Sequence, residues 1–128
     1  MPTTTTHPAT ATEQAPPDIE TMRATVGRLL DPDSVPGVLP PSADEVATLT
    51  ATLRGHMELL APEVERMAVR LHRDSIPRYC ALACVGEARG RLKTGPQPAP
   101  SELVYARRLA RSLNALCDHW ETLGGVSS

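Results

Sequence analysis

The chain has 128 residues, of which 41% are hydrophobic and 22% are charged, and its formal net charge is −2. This length and apolar content predict one folded domain and exclude a chain that is disordered throughout. The near-neutral charge argues against a nucleic-acid-binding domain, which is usually strongly basic, and no run reaches the roughly 18 apolar residues of a membrane-spanning helix.

The residue composition indicates a cytoplasmic, helical protein. The first 20 residues lack both the basic start and the apolar stretch of a signal peptide, and three cysteines fit reduced thiols better than a disulfide framework. Twelve of the 13 basic residues are Arg, and Ala and Pro are abundant, which is typical of a GC-rich genome. Phe is absent, so we expect a core of Leu, Val, Ala and Met, which suits helices packed on helices.

The first helix is predicted between two proline-rich segments. Residues 1–17 are rich in Thr, Pro and Ala and predict a disordered tail, after which Asp18 is expected to cap the helix. Segment 31–41 is expected to end the helix and to form a loop. The apolar residues of the helix recur at helical spacing: Ile19, Met22, Val26, Leu29 and Leu30.

The second helix is predicted to be long and to contain a proline. Ser42 and Glu45 form a capping box, in which each side chain accepts a hydrogen bond from the backbone N–H of the other residue. Pro62 predicts a kink or a break, and we favour one kinked helix because the apolar stripe stays in phase across it. The stripe consists of Val46, Leu49, Leu53, Met57, Leu60, Val64, Met67 and Leu71. Its length also leaves open a homodimer that buries the excess apolar surface.

Two further helices follow. Ser75 is expected to cap the third, where the uncharged segment Tyr79–Gly86 predicts the central helix of the bundle, with small residues that let its neighbours approach closely. After a Pro- and Gly-rich linker at 94–100, Ser101 is expected to cap the last helix, which Gly124 and Gly125 end. The last apolar stripe consists of Ala106, Leu109, Leu113, Leu116, Trp120 and Leu123.

The predicted fold class is all-α, because no segment shows the alternation of a β-strand. We expect a small antiparallel bundle of about four helices, since short connections join antiparallel neighbours. A single domain is predicted for residues 18–125, followed by a short tail at 126–128.

The cysteines are the first candidate site. Cys80 and Cys84 lie one helical turn apart and could ligate a soft metal ion together with Cys117 or His119. The spacing differs from the tight pairs of structural zinc motifs, so packing of free cysteines in the core is favoured. No cofactor is predicted.

Glu87 and His56 are candidates for a ligand-binding pocket. Glu87 shares a helix stripe with Cys80, Ala83 and other small residues, which leave room around its carboxylate, although an ion pair with Arg91 or with an arginine of the last helix is favoured. His56 flanks the apolar face of the long helix. It is interpreted, like His119 beside Asp118, as a boundary histidine, because no nucleophile in a supporting motif accompanies it.

The last helix carries a polar stripe with the spacing of an amphipathic helix. Its arginines could bind carboxylates or phosphates, but a solvated face is favoured because acidic residues of the same helix cancel their charge. The stripe consists of Arg107, Arg111, Asn114, Asp118 and Glu121.

Three segments carry a resemblance to a known family. Residues 53–65 (LRGHMELLAPEVE), 76–92 (IPRYCALACVGEARGRL) and 105–123 (YARRLARSLNALCDHWETL) resemble small actinobacterial proteins of unknown function that carry the label "natural product biosynthesis protein". The similarity extends over about residues 21–123. It implies a connection with specialised metabolism and transfers no catalytic residue to this chain.

Two functions are therefore predicted. The first is a non-catalytic accessory or regulatory binding protein of a natural-product pathway, because the sequence contains no phosphate-binding loop, no H-E-x-x-H motif and no paired carboxylates. It would contact a protein partner through the polar stripe of the last helix, with His119 as a further candidate, and through the flexible N-terminal tail. Neither nucleic acid nor a membrane is expected as a partner. The alternative is a small-ligand-binding protein or modest enzyme with an interhelical pocket around Glu87, His56, Cys80 and Cys84.

Overall fold

A computed structural model describes residues 16–30, 41–94 and 102–124, and it confirms the all-α fold class. The four helices are α1 (Ile19–Leu30), α2 (Ala43–Ala68), α3 (Ile76–Thr94) and α4 (Glu102–Thr122), and no β-strand occurs in these ranges. None of the four is long and apolar enough to cross a membrane. Most of the predicted N-terminal tail, the 31–40 loop, the linker from residue 95 onward, the Ser101 cap and the C-terminal tail lie outside the described residues.

The predicted cap of α1 is confirmed. Of the capping box predicted for α2, the Ser42 side-chain hydrogen bond is confirmed, whereas the Glu45 carboxylate binds another residue. Asp18 Oδ1 accepts a hydrogen bond from Thr21 N at 3.0 Å, and the hydrogen bonds from Thr21 lower the pKa of the Asp18 carboxyl. Ser42 Oγ accepts from Glu45 N at 3.1 Å. Both carboxylate oxygens of Glu45 accept hydrogen bonds from Arg28 of α1, at 2.8 and 2.9 Å, so Glu45 joins two helices instead of completing a capping box.

Helix α2 continues across Pro62, as favoured from the phase of its stripe. It ends at Ala68, one turn earlier than the stripe predicted, and Arg78 donates hydrogen bonds to the carbonyl oxygens of Val69 and Leu71 just beyond this end. The stripe is buried within the single chain at Val46, Leu53, Met57, Leu60 and Val64. Its length therefore gives no reason for a homodimer.

The helices form an antiparallel bundle around the α2–α4 pair. Contacts between chain neighbours join the end of one helix to the start of the next, as between Arg28 and Glu45, and between the Tyr105 hydroxyl and the Arg91 carbonyl oxygen. Among the described helices, α2 and α4 each contact the other three, whereas α1 and α3 do not contact each other. The helices α1 and α3 thus lie on opposite sides of the α2–α4 pair.

The prediction that α3 is the central helix is wrong. Its fully buried side chains are the small residues Ala81, Val85 and Ala88, which remove little apolar area from water. Helix α4 carries the larger apolar side chains and buries nine residues: Tyr105, Ala106, Leu109, Ala110, Ser112, Leu113, Leu116, Cys117 and Trp120. Gly124, just after its end, has a φ of 103°, a conformation that glycine adopts without strain.

Candidate interaction surface

Helix α3 exposes an apolar face to solvent. Ser75 caps this helix by accepting a hydrogen bond from Arg78 N, and the side chains of Ile76 and Tyr79 then follow in its first turn, 74% and 75% exposed. Their neighbours along the same stripe are small and also exposed. We call this surface the outer face of α3, and it consists of Ile76, Tyr79, Cys80, Ala83, Gly86, Glu87 and Gly90.

The outer face of α3 is exposed because the helix packs on its neighbours through the opposite side. Ala81, Val85 and Ala88 point towards α2 and α4, which are the described helices that α3 contacts. Two large apolar side chains, three-quarters exposed and one turn apart, differ from the scattered apolar residues of an ordinary protein surface. The face is therefore a candidate contact surface.

The glycines of this face do not serve packing within the chain. A Cβ atom built at Gly86 or at Gly90 would have no described atom within 4 Å, so the prediction that small residues draw neighbouring helices close is wrong for these two positions. Glycine also lowers helix stability by about 1 kcal/mol relative to alanine. Neither residue is thus explained by contacts inside the chain.

Glu87 is paired as the sequence favoured. Its carboxylate accepts a hydrogen bond from Arg91 of the same helix at 3.1 Å, and its side chain is 59% exposed. It lies on the outer face of α3, so the room around it is solvent and not an interhelical cavity.

The three cysteines are dispersed. Cys80 is exposed on the outer face of α3, Cys84 is half-buried, and Cys117 is buried on the side of α4 that faces the core. Burial raises the pKa of Cys84 and of Cys117 to about 11, so both remain thiols at neutral pH. Within the described ranges, no group of three or more His, Cys, Asp and Glu side chains could hold a metal ion.

His56 lies on the side of α2 that approaches the start of α1. Partial burial lowers the pKa of its imidazole, and the nearby Asp18 carboxylate opposes this shift without cancelling it. Its Nε2 atom is buried and has no hydrogen-bond partner among the described residues. The folded chain thus favours neutral His56.

We expect His56 to make the chain less stable in acid. Because its folded pKa lies below the unfolded value of 6.5, its contribution is complete above pH 6.5 and is lost as pH falls from there through the folded pKa. Urea unfolding between pH 7.5 and 4.5 should show a steeper loss of unfolding free energy for the wild type than for His56→Gln. An NMR titration midpoint of the His56 ring at or above 6.5 would contradict this prediction.

The polar stripe of α4 is engaged with α1. Arg23 of α1 donates hydrogen bonds to Asn114 Oδ1 at 2.8 Å, Asp118 Oδ1 at 3.0 Å and Glu121 Oε1 at 2.6 Å. Arg107 Nε donates to the Leu29 carbonyl oxygen at 3.4 Å. These contacts explain four of the five side chains of the stripe, all except Arg111, by the packing of α4 against α1. Exposed Arg111 and half-buried His119 remain predicted contact residues that no observation tests.

Two shallow clefts lie where α2 and α4 begin. Their volumes are about 280 and 180 Å³, and Glu102 lines both of them together with mainly apolar neighbours. Neither cleft contains Glu87 or His56. These two residues lie on opposite sides of the α2–α4 pair, one on the outer face of α3 and the other near α1, so the predicted pocket that joins them finds no support.

Comparison with known protein families matches residues 20–125 to a family described as of unknown function, DUF6415. The chain belongs to this family. No curated protein and no solved structure matches it. The match covers all four helices of the DUF6415 chain and assigns no activity to any residue.

Sequence reasoning missed the arginines that connect the helices of this DUF6415 domain. Arg54 of α2 donates to the Tyr105 hydroxyl at 2.7 Å and to the Leu92 carbonyl oxygen at 2.9 Å, and thereby joins α2, α3 and α4. In the sequence, Glu58 lies four residues after Arg54, a spacing that is typical of an ion pair on the surface of one helix and that gives no sign of contacts with other helices. Arg23 was missed in the same way, because its partners are more than 90 residues away in the sequence.

Proposed function

We propose that this DUF6415 chain is a non-catalytic binding protein that acts through protein–protein contact on the outer face of α3. The observation that carries the proposal is the exposure of Ile76 and Tyr79 on a helix face that no other described helix covers. Tyrosine is enriched among the residues that dominate binding energy at protein interfaces, because it combines a large apolar ring with a polar tip.

The chemistry of the described residues supports binding over catalysis. Cys84 and Cys117, with pKa values raised to about 11, are poor nucleophiles at neutral pH. Glu87 pairs with Arg91, and His56 lies away from both the cysteines of α3 and the exposed face. No observation favours the alternative of a ligand pocket around Glu87 and His56.

The proposal includes a setting, namely an accessory or regulatory role in a specialised-metabolite pathway in the cytoplasm of an actinobacterium. It is supported by the similarity of segments 53–65, 76–92 and 105–123 to proteins with the natural-product label, and by the Arg-rich composition. Deletion of the gene should change the specialised metabolites of the producing strain, and a chain with Tyr79→Asp should fail to restore them. An unchanged metabolite profile on deletion would contradict this role.

Photo-cross-linking in the producing cells tests the contact surface. A benzophenone amino acid at position 79 is expected to form covalent adducts with protein, because this position lies in the proposed contact. The matched control is position 59, since Leu59 of α2 is also a large apolar residue and is 68% exposed. Adducts that are equally weak at both positions would overturn the proposed function.

A further inference from the structure

We infer that the protein bound by the outer face of α3 is a second copy of this chain, packed antiparallel about a two-fold axis at Ala83. The inference rests on the proposed function, because it names the partner of the same face. In such a pair, residues at equal distances before and after Ala83 lie opposite each other. Ile76 of one copy then meets Gly90 of the other, Tyr79 meets Glu87, and Cys80 meets Gly86.

The shapes of the two halves of the outer face are complementary. The first half carries the bulky side chains Ile76 and Tyr79, and the second half carries Gly86 and Gly90, beside which there is open space. Antiparallel packing places Ile76 of each copy over Gly90 of the other and allows the helices to approach closely at Ala83. Parallel packing would oppose Ile76 to Ile76 and leave a gap between the glycines.

Two acidic side chains, Glu87 of α3 and Asp74 of the turn before it, favour the antiparallel over the parallel orientation. Glu87 is the only acidic residue in the sequence from Ile76 to Thr94, and it lies opposite the Tyr79 hydroxyl of the other copy, which can donate a hydrogen bond to its carboxylate. Asp74, whose side chain is 82% exposed, approaches the end of the other α3, where Lys93 stands. Antiparallel helices additionally bring opposite ends of their dipoles together.

The expected dimer is weak. A helix of 19 residues is about 28 Å long and about 10 Å wide, so one helix face buries less than the roughly 800 Å² per partner of a standard stable interface. Val69, 48% exposed in the turn before α3, extends the apolar surface at the Ile76 end. We therefore expect a monomer–dimer equilibrium in the micromolar range.

Glycine substitutions separate dimerisation from folding. In the double variant Gly86→Ala and Gly90→Ala, the new methyl groups meet open space in the monomer, whereas in the dimer they meet Cys80 and Ile76 of the second copy. Each substitution occurs twice in the symmetric interface, so the dimer dissociation constant measured by sedimentation should rise at least about tenfold. The thermal stability of the monomer should rise, because alanine favours a helix more than glycine does. The matched control is Gly27→Ala with Gly55→Ala, two helical glycines with equally open surroundings, which should raise stability and leave dimerisation unchanged.

A cross-link at the proposed axis gives an independent test. With Cys80→Ser as background, Ala83→Cys should form a disulfide-linked dimer when oxidised glutathione is added, because the two new thiols meet at the axis. Ala51→Cys, on an exposed position of α2, should not. Sedimentation of the wild type as a monomer up to about millimolar concentration, or a dimer insensitive to the glycine pair, would overturn the inference.

The cross-linking at position 79 distinguishes the two proposals. An adduct with the mass of two copies supports both of them. An adduct with a different protein, together with a monomeric wild type, overturns the second copy and retains the proposed function. Absence of any protein adduct together with a monomeric wild type overturns both.

Discussion

Replacement of Leu113 by alanine is expected to lower the free energy of unfolding by about 2–5 kcal/mol. Leu113 is fully buried on α4, which contacts α1, α2 and α3, so the loss of its side chain leaves a cavity inside the bundle. Small domains have a total stability of about 5–15 kcal/mol, and this one change would remove a large part of it. Urea unfolding followed by circular dichroism measures the effect.

The control for Leu113→Ala is Leu59→Ala, which truncates the same residue type on an exposed position of α2. We expect the unfolding free energy of this control to change by no more than about 0.5 kcal/mol, because most of the Leu59 side chain is already exposed to solvent. Similar costs at the two positions would contradict the burial of Leu113 in the core.

Replacement of Arg54 by methionine is expected to lower the unfolding free energy by about 1.5–3 kcal/mol, the usual contribution of hydrogen bonds to a charged group. Methionine keeps most of the alkyl stem and removes the guanidinium that binds the Tyr105 hydroxyl and the Leu92 carbonyl oxygen. The end of α3 should then exchange its amide hydrogens faster than the rest of the bundle, because it has lost a link to α2.

A double-mutant cycle with Tyr105→Phe isolates this interaction. The two residues share the 2.7 Å hydrogen bond, and the Tyr105 hydroxyl also donates to the Arg91 carbonyl oxygen at 3.4 Å. We expect an interaction energy of at least about 0.5 kcal/mol between the two substitutions. Strict additivity, or a cost of Arg54→Met near zero, would show that the network does not stabilise the fold.

The outer face of α3 and the buried side of α4 show that the residues that stabilise this fold are separate from its exposed apolar face. Helix α4 anchors the bundle through large apolar side chains, whereas α3 is held by three small buried residues, by the half-buried Leu82, Cys84 and Leu92, and by contacts at its ends. A helix with so little buried area is free to present Ile76 and Tyr79 outward. The substitutions at Leu113 and at Gly86 with Gly90 should therefore have separable effects on folding and on association.

The sequence alone determined the helices and most of their starts. Asp18, Ser42 and Ser75 act as the caps that their positions predicted, because a cap is a local interaction between a side chain and a backbone N–H three residues away. The continuity of α2 across Pro62 could also be predicted from the sequence, because the apolar residues before and after the proline keep the same helical phase. Such features depend on residues within one or two helical turns.

The tertiary structure decided which helices are central and which helix faces are exposed. The uncharged segment Tyr79–Gly86 was predicted to be buried, but burial depends on apolar volume that neighbouring helices can cover. The residues that α3 buries are two alanines and one valine, and its Leu82 and Leu92 side chains stay half-buried. Likewise, the polar stripe of α4 was predicted to face a partner, while Arg23 from the start of the chain binds Asn114, Asp118 and Glu121. Sequence spacing determines which residues share a helix face, and only the packing of the helices determines whether that face meets the core, another helix or water.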